Sequence, residues 1–243
     1  GILTGPRGNE MRSRKVEVPQ WTYAEFGDEE GKLDKPFSFY FDRGRHTITL
    51  GMMKGVFLID ELTLRNEPEP PSYAEVSAEY EAAGYEESSG HRVIIQAEYP
   101  KIRSDAIVHP QSDSSGPGTQ PSHPTKIRLN TLGGQNWQYP LQWVTWEFEV
   151  PETGLYKIGI RAMQSFRQGL YVTRSIRIDG ERPFSELEQV EFPFQRTWFL
   201  KTLGEDADED GEVEPYLFHL TKGTHTITMK TVSGELAETI RVV

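Results

Sequence analysis

The sequence has no cysteine among its 243 residues, which excludes a disulfide framework. A chain of this length can bury a stable core without disulfides, so the lack of cysteine is compatible with a protein of an oxidising compartment. No apolar run approaches the roughly 18 residues that a membrane-spanning helix needs. The first residues have neither a signal-peptide pattern nor an initiator Met, so we expect a fragment or a processed product.

Basic charge and catalytic motifs are also scarce. Lys and Arg number 26 against 37 Asp and Glu, giving a net charge of −11. A nucleic-acid partner is therefore not expected, because phosphate binding needs a concentrated basic surface. The sequence has six histidines and contains no zinc-protease helix motif, nucleophile elbow or phosphate-binding loop. We expect a protein that is not an enzyme.

An internal repeat is the strongest positive signal. Residues 36–50 (PFSFYFDRGRHTITL), the first repeat segment, align with residues 215–229 (PYLFHLTKGTHTITM), the second repeat segment. Each predicts a strand, a tight turn at Gly44 or Gly223, and a second strand in which apolar and polar residues alternate. Two copies of one pattern indicate two modules of the same kind, each ending in this segment.

A proline-rich stretch separates the two modules. Residues 67–71 (EPEPP) predict a stiff linker, and Ser72 with Glu75 has the spacing of a helix capping box. Apolar residues at helical spacing then predict a short helix over 72–84, ended by Gly84 and packed on a sandwich.

From His91 onwards the pattern is almost entirely β. Many short strands with regular turn signals predict an all-β sandwich. The predicted strands include residues 93–97, 143–150, 156–160 and 173–178. The predicted domains are 1–66, the C-terminal half of a first sandwich module; 67–90, the linker and helix; and 91–243, a complete module. Because about 65 residues cannot bury both faces of a half-sandwich, we expect a missing segment or another chain to complete the first module.

One stretch of the complete module resembles a known family. Residues 133–156 (GGQNWQYPLQWVTWEFEVPETGLY), with Arg161 on the next strand, resemble the central signature of carbohydrate-binding modules of families 6 and 35. Residues 96–98 and 222–227 resemble their first strand and penultimate hairpin. The resemblance implies a galactose-binding-like jelly-roll β-sandwich. A looser similarity links the chain to tandem modules beside the solute-binding domains of bacterial sugar ABC transporters.

The resemblance implies a glycan site at the loop that holds Trp137 and Tyr139. Sugars stack their C–H faces on exposed aromatic rings while their hydroxyls bond to polar side chains such as the amide of Asn136. Trp198 stands where these modules often supply a second aromatic wall. The alternative is that these rings fill the core beneath the long loop of residues 109–125.

Two acidic groups are candidate Ca²⁺ sites. The resemblance implies a structural ion between Glu98 and Glu238, although the second acid that usually follows the first is absent here. Asp206, Asp208 and Asp210 alternate before a glycine, as at the start of a calcium loop, where carboxylate oxygens converge on one ion. The alternatives are solvent-facing carboxylates at the first place and a solvated acidic loop at the second.

These patterns together predict a non-catalytic carbohydrate-binding module of a larger extracellular or cell-surface bacterial protein, with a polysaccharide or oligosaccharide as its partner. Two alternatives stay open. One is a structural or interaction β-sandwich that acts as a spacer in a surface or transporter-associated protein. The other is an accessory module of a polysaccharide-degrading enzyme.

Overall fold

The computed structural model describes residues 1–14, 21, 24–28, 35–51, 58–66, 69–116, 118–166, 168–205 and 213–234. These ranges contain one α-helix, α1 (Tyr73–Ala83), and two short 3-10 helices. The strands are β1 (Ile2–Thr4), β2 (Glu10–Arg12), β3 (Ile102–Arg103), β4 (Pro110–Gln111), β5 (Thr131–Leu132), β6 (Trp143–Val150), β7 (Gly154–Lys157), β8 (Gly159–Gln164), β9 (Tyr171–Ile178), β10 (Val190–Pro193), β11 (Gln195–Thr202), β12 (Leu217–Leu220) and β13 (Gly223–Val232).

A five-stranded antiparallel sheet forms one layer, with the strand order β10-β9-β13-β6-β3. The central strand is β13, whose Ile227 lies opposite Trp146 of β6 and Ile178 of β9. The antiparallel pairs β12–β7 and β11–β8 contribute apolar side chains to the same core. The predicted all-β sandwich is confirmed.

Strand β6 shows why the sequence forms this sandwich. Its buried side chains include Val144, Trp146 and Val150, while the intervening residues are partly or fully exposed. Successive side chains point to opposite faces of a sheet, so this alternation gives one face to the core. The indole N–H of Trp146 donates to the carbonyl of Ala97 at 3.0 Å, which satisfies the one polar group of that buried ring.

The strand predicted over residues 93–97 does not form in the described structure. On that edge of β6 the two-residue strand β3 pairs instead, with Ile102 opposite Thr145 and Arg103 opposite Val144. Residues 93–97 precede β3 and form no strand, and Ile94 remains 63% exposed.

Helix α1 forms as predicted, and it docks on the sandwich. Ser72 and Glu75 make both hydrogen bonds of the capping box, and Gly84 ends the helix with a φ of 70°. The Tyr73 ring contacts the rings of Phe184 and Tyr216, at centroid distances of 5.0 and 4.4 Å. Across the described ranges, no helix has the length and apolar character to cross a membrane.

The two repeat segments differ. The second forms β12 and β13, whereas the structure assigns no strand to residues 35–51. The strands predicted for the first repeat segment are therefore absent, because β6, β7 and β9 already pair with the second segment. Strands β1 and β2 pair as a hairpin at the start of the chain, and its Glu10 accepts hydrogen bonds from Arg128 and from the backbone N–H of Leu129.

Candidate functional site

The loop of residues 133–142 is fastened to the end of the five-stranded sheet. Its Leu141 N–H donates to the carbonyl of Thr231 at 3.0 Å, and the Thr231 N–H donates back to the carbonyl of Gln142 at 2.8 Å. At the start of the loop, Gly133 has a φ of 110°, and a Cβ there would come within 3.2 Å of the Trp137 ring. A larger residue at this position would be strained and would crowd the ring.

Trp137 lies within this loop and is half-buried against the core. Its ring centroid is 6.1 Å from that of Trp146, and its indole N–H donates to the carbonyl of Gln142 at 3.3 Å. The guanidinium of Arg174 lies over the ring, 4.8 Å from the centroid, and donates to the Trp137 carbonyl at 3.2 Å. Burial lowers the pKa of Arg174 to about 10. These contacts make Trp137 a support of the loop and occupy part of the ring that was expected to stack on sugar.

Tyr139 is the exposed aromatic residue of the loop, with 54% of its surface accessible. Its backbone is fixed by Gln142, which accepts from the Tyr139 N–H through its side chain at 3.1 Å and donates its own N–H to the Tyr139 carbonyl at 3.3 Å. Gln142 itself is buried. The loop therefore presents an open ring on a fixed backbone.

Amide side chains flank this ring in the sequence. The Asn136 Nδ2 lies 3.2 Å from the Nε2 of His109, and the Gln138 amide donates to the carbonyl of Gln135 at 2.9 Å. Gln135 and Gln138 are exposed and Asn136 is partly exposed. The loop thus combines an apolar ring with groups that both donate and accept hydrogen bonds.

Trp198, on β11, occupies a different environment. Its indole N–H donates to the Asp113 carboxylate at 2.8 Å, and the Arg161 guanidinium lies over its ring at 4.8 Å from the centroid. Arg161 also donates to the Thr119 hydroxyl at 3.3 Å. Among the described residues, the ring contacts of Trp198 involve neither Trp137 nor Tyr139.

The Asp113 carboxylate is the centre of that second cluster. Burial alone would raise the pKa of Asp113, but hydrogen bonds from Trp198, Ser115 and Thr119 outweigh it and lower the pKa below its ordinary value. The bond from Trp198 holds the loop of residues 109–125 against β11, and the Arg161–Thr119 bond holds it against β8.

Glu98 is buried, with 2% of its surface exposed, and neither carboxylate oxygen has a hydrogen-bond partner. It lines a cavity of about 670 Å³ together with Arg12, Lys101, Arg103 and His109, among others. Burial is the main cause that raises the pKa of Glu98. An unpartnered buried carboxylate costs free energy, so this side chain is suited to a ligand that satisfies it.

The other predicted metal ligands lie outside the described residues: Glu238, Asp206, Asp208 and Asp210. Within the part of the chain that the structure describes, no three His, Asp or Glu side chains are grouped so as to hold a metal ion. The Ca²⁺ prediction therefore stays a prediction.

Sequence reasoning missed two residues that shape these sites. Arg174 contacts Trp137 across 37 positions in the chain, and Asp113 contacts Trp198 across 85. Arg174 lies on a strand in which apolar and polar residues alternate, and Asp113 lies in a polar loop. The sequence around each residue therefore does not indicate which distant aromatic ring it contacts.

No protein-family model matches the chain, and no curated protein is significantly similar to it. Three similar solved structures are carbohydrate-processing enzymes. A cycloisomaltooligosaccharide glucanotransferase from Paenibacillus sp., complexed with cycloisomaltoheptaose, has a TM-score of 0.41 and 19% identity over 68% of this chain. A ruminal GH26 endo-beta-1,4-mannanase has a TM-score of 0.33 and 17% identity over 61% of this chain. An isomalto-dextranase of Arthrobacter globiformis, complexed with panose, has a TM-score of 0.27 and 17% identity over 42% of this chain. The chain spans only 21%, 24% and 15% of those three proteins, respectively.

Proposed function

We propose that residues 91–243 form a non-catalytic carbohydrate-binding module whose glycan site is the loop of residues 133–142. The observation that carries this proposal is the exposed Tyr139 ring on a backbone fixed by hydrogen bonds to Gln142. Aromatic rings that are open on one face and held in place are the usual platforms for the apolar face of a sugar. The resemblance of residues 133–156 to the carbohydrate-binding modules of families 6 and 35 supports the same assignment.

Each residue of the loop has a distinct part in this proposal. Tyr139 stacks on the sugar ring, and the amides of Asn136 and Gln138 bond its hydroxyl groups. Trp137 supports the loop from below, where Arg174 and Trp146 hold it. Because the loop is already ordered, binding loses little conformational entropy, which favours affinity.

Trp198 has a supporting part. Its indole N–H is engaged by Asp113 and the Arg161 guanidinium lies over its ring, so it orders the loop of residues 109–125. An ordered loop there fixes the shape of the surface beside the sandwich edge, and Trp198 offers a sugar only the part of its ring that remains accessible.

A structural Ca²⁺ at Glu98 is part of the same proposal. The two unpartnered oxygens of Glu98 fit a hard cation, which several oxygen ligands must share. Glu238 and backbone carbonyls would supply further ligands. If the ion binds, Ca²⁺ should raise the melting temperature of the wild-type chain, a chelator should reverse this, and Glu98→Gln should abolish the difference. An identical melting temperature with and without Ca²⁺ would argue against the ion.

The module is proposed to belong to an extracellular or cell-surface bacterial protein, as the family resemblance implies.

A second candidate function is an interaction module. The half-burial of Trp137 and the exposed apolar side chains of the first repeat segment favour it. The two candidates differ in what they bind, a glycan or a polypeptide.

A glycan array with the purified 243-residue chain tests the proposed function. We expect binding to one class of oligosaccharide, and Tyr139→Ala should remove it. Tyr99→Ala is a matched control, because Tyr99 is exposed to a similar extent, 58% against 54%, and lies outside the loop. Equal binding by both variants would move the site elsewhere, and no binding by the wild-type chain would favour the interaction module.

A further inference from the structure

The two repeat segments bury their apolar side chains to very different extents. In the second segment, six aligned residues are 2–9% exposed: Tyr216, Phe218, Leu220, His225, Ile227 and Met229. Their counterparts in the first segment that are large and apolar are 40–64% exposed: Phe37, Phe39, Phe41, Ile48 and Leu50. The sequence therefore places a core-forming face in the first segment, and the described structure leaves that face uncovered.

The first segment nevertheless shares one local contact with the second. The Nε2 of His46 lies 2.7 Å from the carbonyl oxygen of Asp42, and the Nε2 of His225 lies 2.7 Å from the carbonyl oxygen of Thr221. These two pairs occupy the same positions in the repeat. The contact spans the turn glycine in each segment, and the chain of the first segment bends at Arg43 and Gly44.

The second segment shows which strands such a segment needs. Strand β13 lies between β6 and β9, and β12 pairs with β7, all antiparallel. Strands β6 and β9 each have a second neighbour as well, β3 and β10. The edges of β6, β7 and β9 that this kind of segment pairs with are therefore already occupied by β12 and β13. We infer that the partner strands of the first segment come from another polypeptide segment.

The two segments differ at one residue of the solvent-facing side, and this difference indicates the charge of the partner strand. In the second segment, the Thr224 hydroxyl donates to the carboxylate of Glu149 on β6. The first segment has Arg45 at the position of Thr224. A carboxylate on the partner strand at the position of Glu149 would therefore face a guanidinium, and opposite charges across a strand pair are favourable.

We propose that the first repeat segment is an acceptor for the strands of a separate polypeptide segment. That partner has strands with alternating apolar side chains, as β6 and β7 do, and an acidic residue opposite Arg45. One strand pairs antiparallel with residues 44–50 and the next pairs with residues 37–41. The interaction is separate from glycan binding, since it uses a different surface of the chain.

A synthetic peptide of residues 143–157 (WVTWEFEVPETGLYK), which contains β6 and β7, is a suitable probe. It is added to the 243-residue chain, and hydrogen exchange is followed by mass spectrometry. In the free chain we expect fast exchange at 44–50 and slow exchange at 223–232. Saturating peptide should slow exchange at 44–50 at least tenfold and leave 223–232 unchanged. A control peptide with Ser at the positions of Val144, Trp146 and Phe148 should have no effect.

Two chain variants locate the contact. Ile48→Asp places a charge on the apolar face and should abolish the protection, whereas Thr49→Asp changes the opposite face, where the uncharged Thr145 of the peptide would lie, and should preserve it. Both residues are exposed, so neither variant should unfold the complete module. The proposal is overturned if the peptide gives no protection, if the control peptide protects equally, or if residues 44–50 are already protected in the free chain because a second copy covers them.

Discussion

The Asp113 carboxylate accepts a hydrogen bond from the Trp198 indole N–H at 2.8 Å, and this bond joins the loop of residues 109–125 to β11. The same carboxylate accepts from the hydroxyls of Ser115 and Thr119. Trp198, which the sequence predicts as an aromatic wall of the glycan site, therefore also fixes the loop of residues 109–125 to the sandwich.

The first prediction concerns this bond. Trp198→Phe keeps a ring beneath Arg161 but removes the indole donor, so it should lower the free energy of unfolding by about 1 kcal/mol. The lowered pKa of Asp113 means that the bond stabilises the fold above the unfolded-state pKa and that this stability is lost as pH falls through the folded-state pKa. Urea unfolding at pH 7 and in strong acid, below the folded-state pKa, measures this, and the difference between wild type and variant should shrink in strong acid. A constant difference would contradict the assigned role of the carboxylate.

The second prediction concerns the core. Trp146 is 5% exposed, and Trp146→Ala should lower the free energy of unfolding by about 3–5 kcal/mol because it leaves a cavity and an orphaned Ala97 carbonyl. Trp143→Ala, on the opposite face of β6, is the matched control and should cost much less. Denaturant unfolding monitored by circular dichroism compares the two. Similar losses would mean that the two faces of β6 are not distinguished by burial.

The third prediction concerns His225, whose Nδ1 lies 2.6 Å from the Asp179 carboxylate and whose Nε2 lies 2.7 Å from the Thr221 carbonyl. Burial alone would lower the pKa of His225, but hydrogen bonds to these two groups outweigh it and raise the pKa. The protonated ring therefore stabilises the fold fully below the unfolded-state pKa of about 6.5, and this stability is lost as pH rises through the folded-state pKa.

The free energy of unfolding should consequently fall as pH rises through that window. His225→Gln should reduce the fall, whereas His123→Gln, at an exposed position, should leave it unchanged. Urea unfolding at several pH values from 6 to 8 measures the slope. An equal slope in wild type and His225→Gln would show that the Asp179 contact does not hold the proton.

The fourth prediction concerns the capping box of α1. Ser72→Ala removes the acceptor for the Glu75 N–H and should lower the free energy of unfolding by about 1 kcal/mol. Ser72→Asp restores an acceptor and should recover most of the loss. Thermal unfolding of the three proteins decides the point. If Ser72→Asp were as unstable as Ser72→Ala, the loss would have a cause other than the cap.

The sequence predicts those elements whose signal is local. The alternation of β6 and the Ser72–Glu75 spacing each follow from one short stretch, and both appear in the structure. Residues 93–97 show the limit, because the residue pattern of a strand does not reveal whether the segment finds a partner strand in the fold, and here it forms none. The same holds for the candidate site: the loop of residues 133–142 is visible in the sequence, but the half-burial of Trp137 depends on Arg174, which is distant in the chain.

The most direct test of the carbohydrate-binding account is isothermal titration of the 243-residue chain with the oligosaccharide that the glycan array identifies. Tyr139→Ala should weaken binding at least tenfold without changing the melting temperature, since Tyr139 is exposed, and Tyr99→Ala should bind as the wild type does. Unchanged affinity in Tyr139→Ala, with the fold intact, would contradict the account.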